Sequence, residues 1–157
     1  MITLYDLTTP KKPKVALNAH TLNLARNFVL DRWQARAKEL GLDKPEDLTN
    51  SCKFSSLFVQ RIFGGSIEAN ECHCYNRING IVVDLNEFAM DVLGMDEPYL
   101  EDPDFLEEPE FHESLSSCQA RVSAWVSGFY ELAQERGYAL PKDQSPGLSY
   151  DSPSPQK

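Results

Sequence analysis

No apolar run in this chain approaches the roughly 20 residues that a bilayer-spanning helix needs. The start, Met1-Ile2-Thr3-Leu4-Tyr5-Asp6, lacks the basic end and apolar stretch of a secretion leader. A soluble, cytoplasmic protein with no membrane partner is therefore expected. Basic residues are scarce in one half: residues 81–157 hold 4 Lys and Arg against 16 Asp and Glu, while residues 1–80 hold 11 against 8. The net charge of −9 repels nucleic-acid phosphate, so no nucleic-acid partner is expected. No Cys-x-x-Cys pair occurs, and His20 and His112 stand far from the cysteines, so neither a metal site nor a cofactor is expected. Internal repeats are lacking too.

What is present describes an ordinary globular domain. The chain has 157 residues, 41% of them hydrophobic and 25% charged, enough to bury a real core. One domain is expected over residues 1–140, and a disordered tail rich in Ser, Pro, Asp and Gln over 141–157. Met1–Pro13 reads as an extended segment. Leu22, Ala25, Val29, Trp33, Ala37 and Leu40 recur at helical spacing before Gly41, a natural residue to follow a helix. A second helix is expected to start near Thr49 or Asn50 and run to Gly64-Gly65, burying Phe54, Leu57, Phe58 and Ile62. The stretches 71–78 and 81–85 read as strands around Asn79-Gly80, a hairpin signal. A short helix over 88–93, a proline-rich acidic loop over 95–113 and a long helix over 113–137 complete an α+β layout.

Four cysteines, Cys52, Cys72, Cys74 and Cys118, need no pairing in a chain of this kind and are expected as free thiols. Cys52 is the one placed for chemistry. It falls in the first turn of its helix, where unpaired backbone N–H groups and the positive dipole end favour the thiolate, and Lys53 adds a cation. Cys72, Cys74 and Cys118 read as small buried packing residues.

The turn at Asn79-Gly80 fixes the geometry of two more residues. A two-residue loop pairs Ile78 with Ile81, Arg77 with Val82, Asn76 with Val83 and Tyr75 with Asp84. Strand alternation then puts His73 and Tyr75 on the face of Asp84, with His73 its diagonal neighbour at a Cα separation of roughly 7–8 Å. Cys72 and Cys74 fall on the opposite face. The apolar run Ile81-Val82-Val83 carries Asp84 into a half-buried sheet, where an unpaired carboxylate is costly. A Cys52–His73–Asp84 triad follows as an expectation. Cys52 would be the nucleophile, His73 the base and then the acid, and Asp84 the group that orients it.

The residues Asn50-Ser51-Cys52, Val59-Gln60 with Gly64-Gly65, His73-Cys74-Tyr75-Asn76-Arg77 and Val83-Asp84-Leu85-Asn86 keep a familiar order and spacing. This stretch resembles the YunG-like family of small bacterial proteins. That family has Gly-Gln-Cys at a helix start, Val-Gln and Gly-Gly toward its end, a strand with His-Tyr/Trp-Trp-Asn-Arg, and a strand with Asp-Leu-Thr. The resemblance implies a papain-like or transglutaminase-like core: a Cys-bearing helix packed on a small antiparallel sheet that carries His and Asp, here flanked by long N- and C-terminal helices. The chain departs from the pattern at Asn50-Ser51, in place of Gly-Gln, and at Cys74, in place of an aromatic residue. Asn50 or the Cys52 backbone N–H then falls to oxyanion stabilisation, with Tyr75 and Asn76 lining the site.

Two functions follow as expectations. One is a cysteine-dependent hydrolase or acyltransferase acting on a peptide or other amide-type substrate through a thioester. The other is a non-catalytic binding or inhibitor protein on the same scaffold, docking a basic protein partner through its acidic C-terminal half.

Overall fold

The computed structural model describes residues 1–141, and the tail expected over 141–157 lies, past that residue, outside the described region. The fold is α+β. Six helices, α1 (Leu4–Thr8), α2 (Ala19–Glu39), α3 (Cys52–Phe63), α4 (Met90–Leu93), α5 (Pro103–Leu106) and α6 (Pro109–Glu135), surround one sheet of β1 (Ser66–Ala69), β2 (Cys74–Ile78) and β3 (Ile81–Val83). The sheet is antiparallel in the order β1-β2-β3. Among the described residues, no helix is long and apolar enough to cross a membrane.

Local chemistry explains most of the boundaries. The α2 helix starts at Asn18, whose side chain accepts from the Thr21 backbone N–H while Thr21 reaches back to the Asn18 N–H; two orphan donors of the first turn are thereby satisfied. It ends before Gly41, which takes the left-handed conformation at φ 71°. The same reciprocal cap, made by Thr3 and Asp6, creates α1 where an extended segment was expected. Its three-residue spacing was the signal for that helix. Pro109 opens α6 four residues before the expected start, because a first-turn proline loses no helical hydrogen bond and arrives with the right φ.

α3 is the centre of the molecule. Ser55 to Gln60, Ile62 and Phe63 are all buried, so the helix is enclosed on every side. Its aromatic side meets the long helices: Phe58 packs with Phe28 of α2 and Phe129 of α6, and Phe54 lies between Trp33 and Trp125. Its other side carries Ser55, Ser56 and Gln60. Small serines let the helix approach the sheet closely, and Ser56 finds its partners there. Ser56 Oγ lies 3.4 Å from Cys74 Sγ, and Asn76 Nδ2 donates to the Ser56 carbonyl at 2.9 Å.

The sheet bears out the expected hairpin register, with Asn76 opposite Val83, Arg77 opposite Val82 and Ile78 opposite Ile81. Its strands are shorter than expected, beginning at Cys74 and ending at Val83. β1, which was not expected, pairs along β2 from Ser66–Arg77 to Ala69–Cys74. The turn from α3 into β1 is a close approach. Gly64 has φ 85°, and a Cβ there would lie 2.5 Å from the Lys11 carbonyl oxygen, in a segment pinned by reciprocal Lys11–Gly65 backbone hydrogen bonds of 2.9 and 3.0 Å. Gly64→Ala should therefore destabilise the fold by about 2–4 kcal/mol. A urea titration should show a lower midpoint at unchanged slope.

Candidate active site

Asp84 ends up buried, just past the end of β3. A carboxylate taken out of water needs donors, and this one has three from three segments. His73 Nε2 lies 2.7 Å from Oδ2, the Tyr99 hydroxyl donates to the same oxygen at 2.9 Å, and the Asn86 backbone N–H donates to Oδ1 at 2.9 Å. The His73–Asp84 pairing is the one that the hairpin register anticipates. Tyr99 and Asn86 went unforeseen. Asn86 had a local signal, an amide two residues after an aspartate that can accept its N–H in an Asx turn. Tyr99 had none, since it arrives from a loop whose course the sequence does not fix.

His73 is held from several sides. Its backbone N–H donates to Asn70 Oδ1 at 3.0 Å, and the Asn70 N–H donates to the His73 carbonyl at 2.9 Å. Asn70 Nδ2 in turn donates to the carbonyls of Pro98 and Leu100, at 3.0 and 2.9 Å. One amide side chain thus fixes both the histidine and the segment that delivers Tyr99. The imidazole is flanked by Tyr75, stacked at a ring separation of 6.0 Å, and by Tyr99 at 6.1 Å. The Tyr75 hydroxyl donates to the Tyr99 carbonyl at 3.0 Å. Burial, followed by the charge of Asp84, pushes the Tyr99 phenol well above its ordinary range, which keeps it a donor.

Cys52 is the first residue of α3 and half-buried. The cap is Ser51, one or two residues later than expected, and its hydroxyl does not cap the helix. It donates instead to the Leu48 carbonyl at 2.7 Å and accepts from Asn86 Nδ2 at 3.0 Å. Among the described residues the first-turn amides, that of Cys52 included, are left without a side-chain cap. The same Asn86 joins the start of the cysteine helix to the end of the aspartate strand.

The charges at Cys52 and His73 are set as a pair. The neighbouring Cys74 thiol, followed by the opposing cost of burial and then by the His73 imidazole and the Cys74 backbone, brings the Cys52 thiol from its ordinary 9.0 down to about 5. Burial alone would lower His73, but the hydrogen bond to Asp84, the Cys52 thiol beside it and the charges of both outweigh it, and the imidazole rises from 6.5 to about 9. Cys74, fully enclosed, moves well above 9.0 because of the Cys52 thiol beside it and its burial. The proton therefore stays on the enclosed sulfur, and the negative charge rests on the one nearer solvent. Nε2 of His73 is committed to Asp84, which leaves Nδ1, without a hydrogen-bond partner among the described residues, as the nitrogen free to donate to the thiolate. Such bonds are often long in an unliganded site and shorten with substrate.

The remaining sequence-derived residues divide. Tyr75 belongs to the site as a wall against the imidazole. Asn76 points under α3 to the Ser56 carbonyl and fastens the strand to the cysteine helix. Asn50 is exposed, with φ 70°, and its backbone N–H donates to Asp91 Oδ2 at 3.0 Å. Cys118 is buried as expected and Cys74 likewise, but Cys72 is exposed, which corrects the expectation of a packing residue. The ladder begins only at Cys74, so strand alternation does not extend back to residue 73. His73 and Cys74 both act on the charge of Cys52.

Asp84→Asn removes the larger of the two groups that raise His73 and leaves the burial that lowers it. The imidazole, followed by NMR, should titrate near 9 in the wild type and at a clearly lower pH in the variant. No protein-family model, curated protein or solved structure matches the chain.

Proposed function

We propose that this protein is a cysteine-dependent hydrolase or acyltransferase acting on an amide-type bond, with Cys52 as nucleophile, His73 as acid and base, and Asp84 as orienter. The observation that carries this reading is the pairing of a thiol lowered to about 5 with an imidazole raised to about 9, the latter hydrogen-bonded to a buried carboxylate. Such an arrangement holds a thiolate and an imidazolium together at neutral pH, and a purely structural cysteine has no use for it. The YunG-like pattern and the papain-like core that it implies belong to the same reading.

The chemistry runs as follows. The Cys52 thiolate attacks the carbonyl carbon, and the carbonyl π electrons move onto oxygen. The uncapped N–H of Cys52, with the Asn50 side chain as a second candidate donor, faces that oxyanion. His73 gives its proton to the departing amine, leaving a thioester and a neutral imidazole. Water, or an acceptor amine, then loses a proton to His73 as it attacks the thioester, and the thiolate is released. Asp84 steadies the imidazolium at both ends of the cycle, while Tyr99 and Asn86 keep the carboxylate aimed.

A specific observation favours a basic substrate or partner. The segment that delivers Tyr99 and continues into α6 exposes Asp96, Glu97, Glu101, Asp104, Glu107 and Glu108. An acidic surface hydrogen-bonded directly into the site suits a polypeptide with cationic residues flanking the scissile bond. The same surface would serve a non-catalytic protein that docks a basic partner, and thiol reactivity separates the two.

The first test is the rate of Cys52 alkylation by iodoacetamide against pH. The wild-type rate should rise through about 5 and level off, and in His73→Ala the rise should move toward the ordinary 9.0. A thiol that titrates near 9.0 in both proteins ends the catalytic reading. With an amide or ester substrate in hand, kcat/KM should climb as Cys52 loses its proton near 5 and fall as His73 loses its own near 9. Cys52→Ala should be inactive, and Asp84→Asn should lose about 10²–10⁴-fold in kcat at neutral pH.

A further inference from the structure

The second sulfur beside the nucleophile has no part in acyl transfer. Cys74 opens β2, is buried, and lies 3.4 Å from Ser56 Oγ. Ser56 follows Cys52 by one helical turn on α3, and residues so spaced share a helix face. Cys74 therefore sits on the same face as the nucleophile, and its thiol is the largest influence on the charge of the Cys52 sulfur. The two differ in access. Cys52 is half-buried, whereas Cys74 is enclosed between helix and sheet.

We propose that Cys52 and Cys74 form a reversible disulfide in response to peroxide, with Cys52 the sulfur oxidised first and Cys74 the one that resolves it. This rests on the reactive Cys52 proposed above, and not on which bond that residue attacks. In the first step the Cys52 thiolate attacks one peroxide oxygen, the O–O bond breaks, and the departing hydroxide takes the His73 proton to leave as water. Cys52 becomes a sulfenic acid and His73 neutral. In the second step the Cys74 sulfur attacks the sulfenic sulfur, the S–O bond breaks, and the hydroxyl leaves with the Cys74 proton as a second water. The pair has given two electrons to the peroxide. A thiol reductant returns both sulfurs.

The arrangement suits protection. An exposed thiolate with no resolving partner proceeds to sulfinic and sulfonic acids, which are not recovered by thiols. A partner on the same helix face has only to close to the disulfide length of about 2.05 Å, and it can intercept the sulfenic acid before a second peroxide arrives. Cys118 is buried on α6 and Cys72 is exposed on the bend before His73; neither opens the strand that packs on the cysteine helix.

The test exposes the full chain at neutral pH to a modest excess of hydrogen peroxide. Intact mass, peptide mapping and iodoacetamide labelling are then followed in the wild type, Cys74→Ser and Cys52→Ser. In the wild type the mass should fall by two hydrogen atoms, a single Cys52–Cys74 linkage should appear, and labelling of Cys52 should vanish and return with dithiothreitol. Cys74→Ser, which keeps the size of the side chain, should instead gain two or three oxygen atoms on Cys52 that dithiothreitol does not remove. Oxygen addition to Cys52 in the wild type, or a linkage to Cys72 or Cys118, overturns the resolving role while leaving the reactive thiolate intact. A Cys52 inert to both iodoacetamide and peroxide overturns that role and the catalytic reading together.

Discussion

A carboxylate buried at the end of a short strand is the constraint around which this molecule is arranged. Asp84 stays charged and enclosed only if donors surround it, and its three come from the bend before β2, the turn after β3 and the acidic segment that leads to α5. Each donor is in turn committed elsewhere. His73 is tied through its backbone to Asn70, Tyr99 is held by its carbonyl to Tyr75, and Asn86 reaches the start of α3 through Ser51 and Leu48. Satisfying one buried charge thereby fixes the relative positions of the hairpin, the cysteine helix and the acidic segment. The low-dielectric surroundings that make an unpaired group so costly also make a fully satisfied network rigid.

The sulfur chemistry is a consequence of that rigidity and of one accident of spacing. α3 is polar where it meets the sheet, with Ser55, Ser56 and Gln60 all buried. A bulkier face would hold β2 farther off and leave Cys52 without Cys74 or His73 as neighbours. The serines bring the strand in, and the strand brings a thiol and an imidazole to the first turn of the helix. Charge is then divided by access: the enclosed sulfur keeps its proton, and the half-exposed one gives its proton to histidine.

How much of this the sequence discloses depends on how local each contact is. The pairing of His73 with Asp84 was legible because a two-residue turn leaves little freedom in register. The cysteine at a helix start was legible for the same kind of reason: hydrophobic spacing and a Gly-Gly stop locate α3 within a residue or two. Tyr99 was not, because its reach to Asp84 is set by the packing of a proline-rich segment with no periodicity. Cys72 was misplaced because strand alternation was carried back past Cys74, where the ladder begins, onto the bend that leaves residue 72 exposed. The α1 helix was missed although its Thr3–Asp6 cap was visible, since helix length is the cue ordinarily relied on and this one is a single turn and a little more.

The order in which the site's parts can assemble follows from the same division. His73 and Asp84 are joined by one tight hairpin, so the chain between them closes at small entropic cost and early. Cys52 is delivered only when α3 docks against the sheet and α6, a contact between distant parts of the chain. In an ensemble that loosens from the helical side, the imidazole–carboxylate pair can survive while the thiol has already drifted away. The nucleophile is then the most easily lost member of the site, and its reactivity reports on the packing of the whole helical layer and on much more than its immediate neighbours.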